Sequence, residues 1–108
     1  ANKRIGNILR KSGHDKIEDV NDKLLHLSEE SDLFIEVVKA EETVNPLLVN
    51  GDYEASLDIL ARLEGPIERF FDAVMVMDED PALRANRLNL LTLSKAQFDR
   101  IADLSILG

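Results

Sequence analysis

Residues 80–107 read DPALRANRLNLLTLSKAQFDRIADLSIL, and this stretch decides the fold class. An aspartate followed by a proline is a helix-start signal. The carboxylate can cap the first backbone N–H groups, and proline is tolerated where no N–H partner is needed. From Ala82 to Leu107 there is neither glycine nor proline, so one long helix from Pro81 to Leu107 is expected. Upstream, Gly65-Pro66 breaks and restarts the chain. Ile67, Phe70, Phe71, Val74 and Met75 then follow helical spacing. Val74-Met75-Val76-Met77 alternates like a strand, but its place in the series from Ile67 predicts helix. Asp52 can cap a helix carrying Tyr53, Leu57, Leu60 and Leu63. Ser28 with Glu29 and Glu30 reads as the start of another, through Leu33, Val37, Val38, Val44, Leu47 and Leu48 to Asn50-Gly51. Glu18, Asp19 and Asp22 read as a loop, with a short turn through Leu24, Leu25 and Leu27. A first helix runs from Asn2 to Lys11, with Gly13 as its stop. The expected fold is all-α, an antiparallel bundle of about five helices forming a single domain over residues 1–108.

Composition narrows the function. A chain of 108 residues with 44% apolar residues can bury one core. No apolar run approaches the roughly 18 residues needed to span a bilayer, so no membrane partner is expected. The amino terminus lacks a signal-peptide layout, and a cytoplasmic location is expected. Without cysteine there are neither disulfides nor thiolate metal sites. His14 and His26 are too far apart for a helical ligand pair and read as surface residues. No glycine-rich phosphate loop, cysteine nucleophile or His–carboxylate pair is present. No catalytic residue is therefore assigned. The acids Asp78, Glu79 and Asp80 read as capping and ion-pairing groups before Pro81, so no metal site is assigned either.

The formal net charge of -8 argues against indiscriminate nucleic-acid binding. Its distribution is uneven. Residues 1–14 are net +4, residues 15–80 net -14 and residues 81–108 net +2. On the first helix Ile5, Ile8 and Leu9 share one arc, while Lys3, Arg4, Asn7, Arg10 and Lys11 share the opposite one. Four cations and an amide with no interleaved acid suit phosphate oxygens, with Asn7 able to reach a base edge or ribose. An ordinary solvated helix face is the alternative reading. Arg84 and Arg87 fall in the sector of Leu88, Leu91 and Phe98. Pairing with Asp72, Asp78 or Asp80 is favoured over RNA contact there, because a lone buried charge is costly. Arg100 is placed on the outer face and Lys95 at the edge of the core sector. Phe70, Phe71 and Phe98 are expected in the core, leaving Tyr53 as the one candidate exposed stacking platform.

Two stretches carry a family resemblance. One is Asn2-Lys3-Arg4-Ile5-Gly6-Asn7-Ile8-Leu9-Arg10-Lys11. The other runs from Gly65-Pro66-Ile67-Glu68-Arg69-Phe70-Phe71-Asp72-Ala73-Val74-Met75-Val76-Met77 through Asp80-Pro81-Ala82-Leu83-Arg84-Ala85-Asn86-Arg87-Leu88 to Ser105. In order and spacing they resemble the carboxy-terminal anticodon-binding domain of bacterial glycyl-tRNA synthetase β subunits. The region is also similar to the helical anticodon-binding domain of arginyl-tRNA synthetases, known for an Asp-Ala-Leu-Arg motif. Here that motif is Asp80-Pro81-Ala82-Leu83-Arg84, one residue longer.

The resemblance implies a non-catalytic piece of a longer chain that binds the anticodon region of tRNA(Gly). It implies a parent glycine–tRNA ligase using ATP and Mg, with two α and two β subunits, the α subunits activating glycine. The fragment itself then needs no cofactor. Its partners are tRNA(Gly), the remainder of the β subunit and the α subunit. The alternative is a helical docking module that stabilises the assembly, with RNA contacts made elsewhere.

Overall fold

The computed structural model describes the backbone of residues 2–13 and 18–107 and the side chains of residues 3–13 and 18–100. His14 lies outside the described residues, and His26 is exposed. The elements are α1 (Asn2–Ser12), a 3-10 turn (Asp22–Leu24), α2 (Ser28–Val49), α3 (Tyr53–Ala61), α4 (Glu64–Ala73) and α5 (Pro81–Leu107). Among the described residues there is no strand, and the all-α class holds.

Local chemistry explains most boundaries. Gly13 and Gly51 close α1 and α2 at φ 68° and 75°, in the left-handed region that glycine enters without a Cβ penalty. Asp52 Oδ1 accepts from the Ala55 N–H at 3.1 Å, and Asp80 Oδ1 from the Ala82 N–H at 2.9 Å. The caps of α3 and α5 are thus as expected. The start of α2 differs by one residue. Leu27 is the N-cap, and Glu30 reaches back so that its Oε1 accepts from the Leu27 N–H. Ser28 instead donates its hydroxyl to Glu29. The break between α3 and α4 falls at Arg62 and Leu63, ahead of Gly65-Pro66. Pro66 is tolerated because the first turn of a helix has N–H groups to spare.

The larger correction concerns Val74–Met77. Helix α4 stops at Ala73, and Val74 is extended at φ -112°, ψ 127°. Val74 and Val76 are buried while Met75 and Met77 are 70% and 49% exposed. Period-two alternation wins over the helical series because the chain must leave α4 to reach Pro81.

The core joins Ile5 of α1, Leu33, Val37 and Val44 of α2, Leu60 of α3, Ile67 and Phe70 of α4, and Leu88, Leu90 and Leu91 of α5. Leu57, expected on the buried side of α3, is 54% exposed. Helix α5 is the central element, and every residue from Asn86 to Leu91 is buried. Burial on all sides forces its polar groups to find partners. Asn86 holds the segment before the 3-10 turn by accepting from the Asn21 N–H at 2.7 Å and donating to the Asn21 carbonyl at 3.0 Å.

Across the α2–α5 seam, Glu30 meets Arg87, Glu41 meets Gln97 and Asn45 meets Arg100. These pairs ascend both helices together, so α2 and α5 run in the same direction. The bundle is not antiparallel at this seam. Helices α3 and α4 and the 74–80 connection return the chain to the starting end of α2.

Candidate nucleic-acid interface

Helix α1 lies on α5 with Ile5 fully buried and Ile8 and Leu9 packed against the core. Gly6 faces the flexible Lys95 side chain at this contact. A Cβ at that position would lie 3.4 Å from Lys95 Cε. Anchoring one face turns the other outward, and Lys3, Arg4, Arg10 and Lys11 are all exposed, with Asn7 half-buried.

The five residues do not form a uniform stripe. Among the described residues, Lys3, Arg10 and Lys11 make no ion pair with a carboxylate, so their charge is open to solvent. Arg10 Nη2 donates to Asn7 Oδ1 at 2.6 Å, which fixes the amide and aligns the two side chains. Arg4 is different. Its guanidinium pairs with Glu68 at 3.7 Å, both side chains being 53% exposed, a geometry with little energetic weight at a surface. Its Cζ also sits 4.2 Å from the centroid of the Phe71 ring.

Phe71 is therefore not the enclosed core residue that its place on α4 suggested. It is half-buried, held edge-to-face against the fully buried Phe70 at 5.9 Å and 77°. Between α1 and α4 a cavity of about 350 Å³ opens beside the stacked pair, lined by Arg4, Asn7, Ile8, Lys11 and Phe71. No local sequence signal marks it, because the approach of Arg4 on α1 to Phe71 on α4 is made only by the fold. Tyr53, the platform suggested by sequence, is partly buried on α3.

Arg84 and Arg87 turn inward, as their helical sector required. Arg87 is 5% exposed. It donates to Glu30 Oε1 at 3.0 Å, to Asp78 Oδ2 at 3.3 Å and to the Met75 carbonyl at 2.7 Å. Of the three aspartates expected as partners, Asp78 fills the role for Arg87. Asp80 serves as the α5 cap, and Asp72 is exposed. Arg84 donates to the Asp78 carbonyl at 3.2 Å. The main partner, Glu30, was legible only as a first-turn acid. Arg100 leans onto α2, donating to Asn45 and Gln97, and is not an outward-facing group. Lys95 pairs with Asp99 on its own helix. Lys3, Arg10 and Lys11 thus remain as three exposed cations on one helix, while Lys23, Arg62 and Arg69 are exposed elsewhere on the surface.

Comparison with known proteins adds to this geometry. The family model described as the DALR anticodon binding domain matches residues 1–108. The glycine–tRNA ligase beta subunit of Nitrosomonas europaea is 45% identical over 108 residues, covering 100% of this chain and 15% of the relative. That of Psychromonas ingrahamii is 46% identical over 107 residues, covering 99% of this chain and 16% of the relative. That of Chromohalobacter salexigens is 43% identical over 105 residues, covering 97% and 15%. The chain spans about 15% of the length of the curated relatives it matches.

Proposed function

Because the chain belongs to the DALR anticodon binding domain family, we propose that it binds the anticodon region of tRNA(Gly) as a non-catalytic domain of a glycine–tRNA ligase β subunit. In this reading residues 1–108 form one domain of a longer chain. ATP, Mg and the amino-acid activation site belong to the rest of a cytoplasmic α2β2 enzyme. The domain contributes grip on the RNA. One observation carries the reading: Lys3, Arg10 and Lys11 project from a helix whose opposite face is locked into the core. Cations held on a rigid support lose little further freedom on meeting phosphate, and each neutralised phosphate releases counterions.

The test is the Lys3→Glu, Arg10→Glu, Lys11→Glu triple variant of the full-length enzyme, with tRNA(Gly) affinity measured over a range of salt concentrations. Affinity is expected to fall, and the slope of log K against log[salt] to shrink by roughly 2 to 3.

A second reading, docking against other parts of the assembly, is favoured by one feature. Met75 and Met77 stand exposed on the α4–α5 connection beside the buried Arg87 cluster. Methionine suits adaptable protein contacts. Unchanged tRNA affinity in the triple variant, with Met75→Ser, Met77→Ser loosening the subunit assembly, selects this reading instead.

A further inference from the structure

The cavity between α1 and α4 shares Lys11 with the basic face, but its aromatic wall gives it a chemistry that phosphate attraction alone does not use. Its wall is a ready-made stack. Phe71 rests edge-to-face on Phe70, the Arg4 guanidinium lies over the Phe71 ring, and Glu68 lies 3.7 Å from that guanidinium on the α4 side. Asn7 lines the same cavity with its carbonyl oxygen accepting from Arg10, and its amide N–H groups donate to no acceptor among the described residues. Lys11 completes the rim. A volume of about 350 Å³ lies at the small end of ligand sites. A planar, half-exposed cation backed by an aromatic ring is a surface on which bases stack irrespective of sequence. Amide donors at its edge can meet a base carbonyl or ring nitrogen.

We propose that this cavity is a subsite for one unstacked base of a single-stranded RNA loop. The base stacks on the Arg4–Phe71 pair and is hydrogen-bonded at its edge by Asn7, while Lys11 takes the adjoining phosphate. The subsite rests on the RNA-binding reading given above. It adds to it a base contact where that reading has only charge.

The experiment uses the full-length protein and tRNA(Gly) transcripts carrying 2-aminopurine at single positions of the anticodon loop. Arg4→Lys keeps the charge and loses the planar face. Phe71→Leu keeps an apolar side chain and loses the ring. Both are expected to weaken binding roughly tenfold with an unchanged salt slope. Both should also abolish the fluorescence change at one loop position. Asn7→Ala should reduce affinity while retaining that change.

Wild-type affinity and wild-type fluorescence in Arg4→Lys overturn the subsite. If the Lys3, Arg10, Lys11 reversal still weakens binding in that case, the phosphate-gripping function survives without it. If the reversal also has no effect, both proposals fall together. Should Phe71→Leu lower the melting temperature, Arg4→Lys alone decides, because half of that side chain is already in solvent. Loss of association with the rest of the enzyme in Arg4→Lys, with RNA affinity intact, assigns the stack to a protein partner and overturns the proposal.

Discussion

Arg84 and Arg87 are three residues apart on α5, yet their surroundings differ greatly. Arg87 is enclosed and satisfies three acceptors from two distant segments, whereas Arg84 is half-buried and meets one carbonyl. The Arg87–Glu30 contact runs through one nitrogen and one oxygen. Glu30 Oε2 and Arg87 Nε have no partner among the described groups. Removing Arg87 leaves Glu30 as an uncompensated buried charge, whereas removing Glu30 leaves Arg87 with Asp78 as its carboxylate partner. Arg87→Ala is therefore expected to destabilise the fold by about 3–5 kcal/mol, Glu30→Ala by less, and Arg84→Ala by about 1 kcal/mol. Urea unfolding followed by circular dichroism measures both, and equal losses for the two arginines would contradict the assignment. The inward direction of Arg87 could be read from sequence because its sector is shared with Leu88 and Leu91. Its partner could not. Glu30 is separated from it by 57 residues, and nothing local distinguishes a first-turn glutamate facing the core from one facing water. The same limit hid Phe71, whose spacing marked it as apolar but gave no sign of Arg4 above it.

Helix boundaries follow from local signals where the chemistry is local. Gly13, Asn50-Gly51, Asp52 and Asp80-Pro81 all mark ends at the expected places. Gly51 has positive φ and open space where a Cβ would stand, so only backbone conformation opposes substitution there. Gly51→Ala is expected to cost about 1 to 2 kcal/mol, and Gly51→Asn less, as thermal melting would show. A similar loss for both would mean that something other than the left-handed backbone governs the site. The connection after α4 was not legible from spacing, because Val74-Met75-Val76-Met77 satisfies helical and alternating templates alike. Tertiary demand decided it. The carbonyl of Met75 is taken by Arg87 and both valines face the core, which a continued helix could not provide. Val76→Ala should cost roughly 1–3 kcal/mol, and Met77→Ala less than about 0.5 kcal/mol. Reversed magnitudes would restore the helical reading.

At the scale of the whole molecule, sequence alone supports an all-helical bundle and a charge imbalance, but not the direction in which helices pair. That α2 runs with α5 depends on two intervening helices whose lengths only the folded chain reveals. The arrangement has an electrostatic consequence. Six acids and one lysine lie on α2, with Asp32 and Glu42 exposed, and Glu54 is exposed on α3. Lys3, Arg10 and Lys11 are grouped on α1, with no acid on that helix. On the proposed RNA-binding reading, a net charge of -8 repels RNA over much of the surface while the α1 cations attract it, so that RNA would approach in few orientations. Neutralising acids remote from α1 should therefore harm discrimination while leaving the cognate contact intact. The Asp32→Asn, Glu42→Gln, Glu54→Gln variant of the full-length protein is expected to bind an unrelated single-stranded RNA roughly threefold to tenfold more tightly at low salt. Its affinity for tRNA(Gly) should change less, and the difference should shrink near about 0.15 M salt, where screening acts within about 8 Å. Equal gains for both RNAs would show that the acidic surface acts only as general repulsion. No gain for either would show that RNA does not sense this surface, and the orienting role would have to be abandoned.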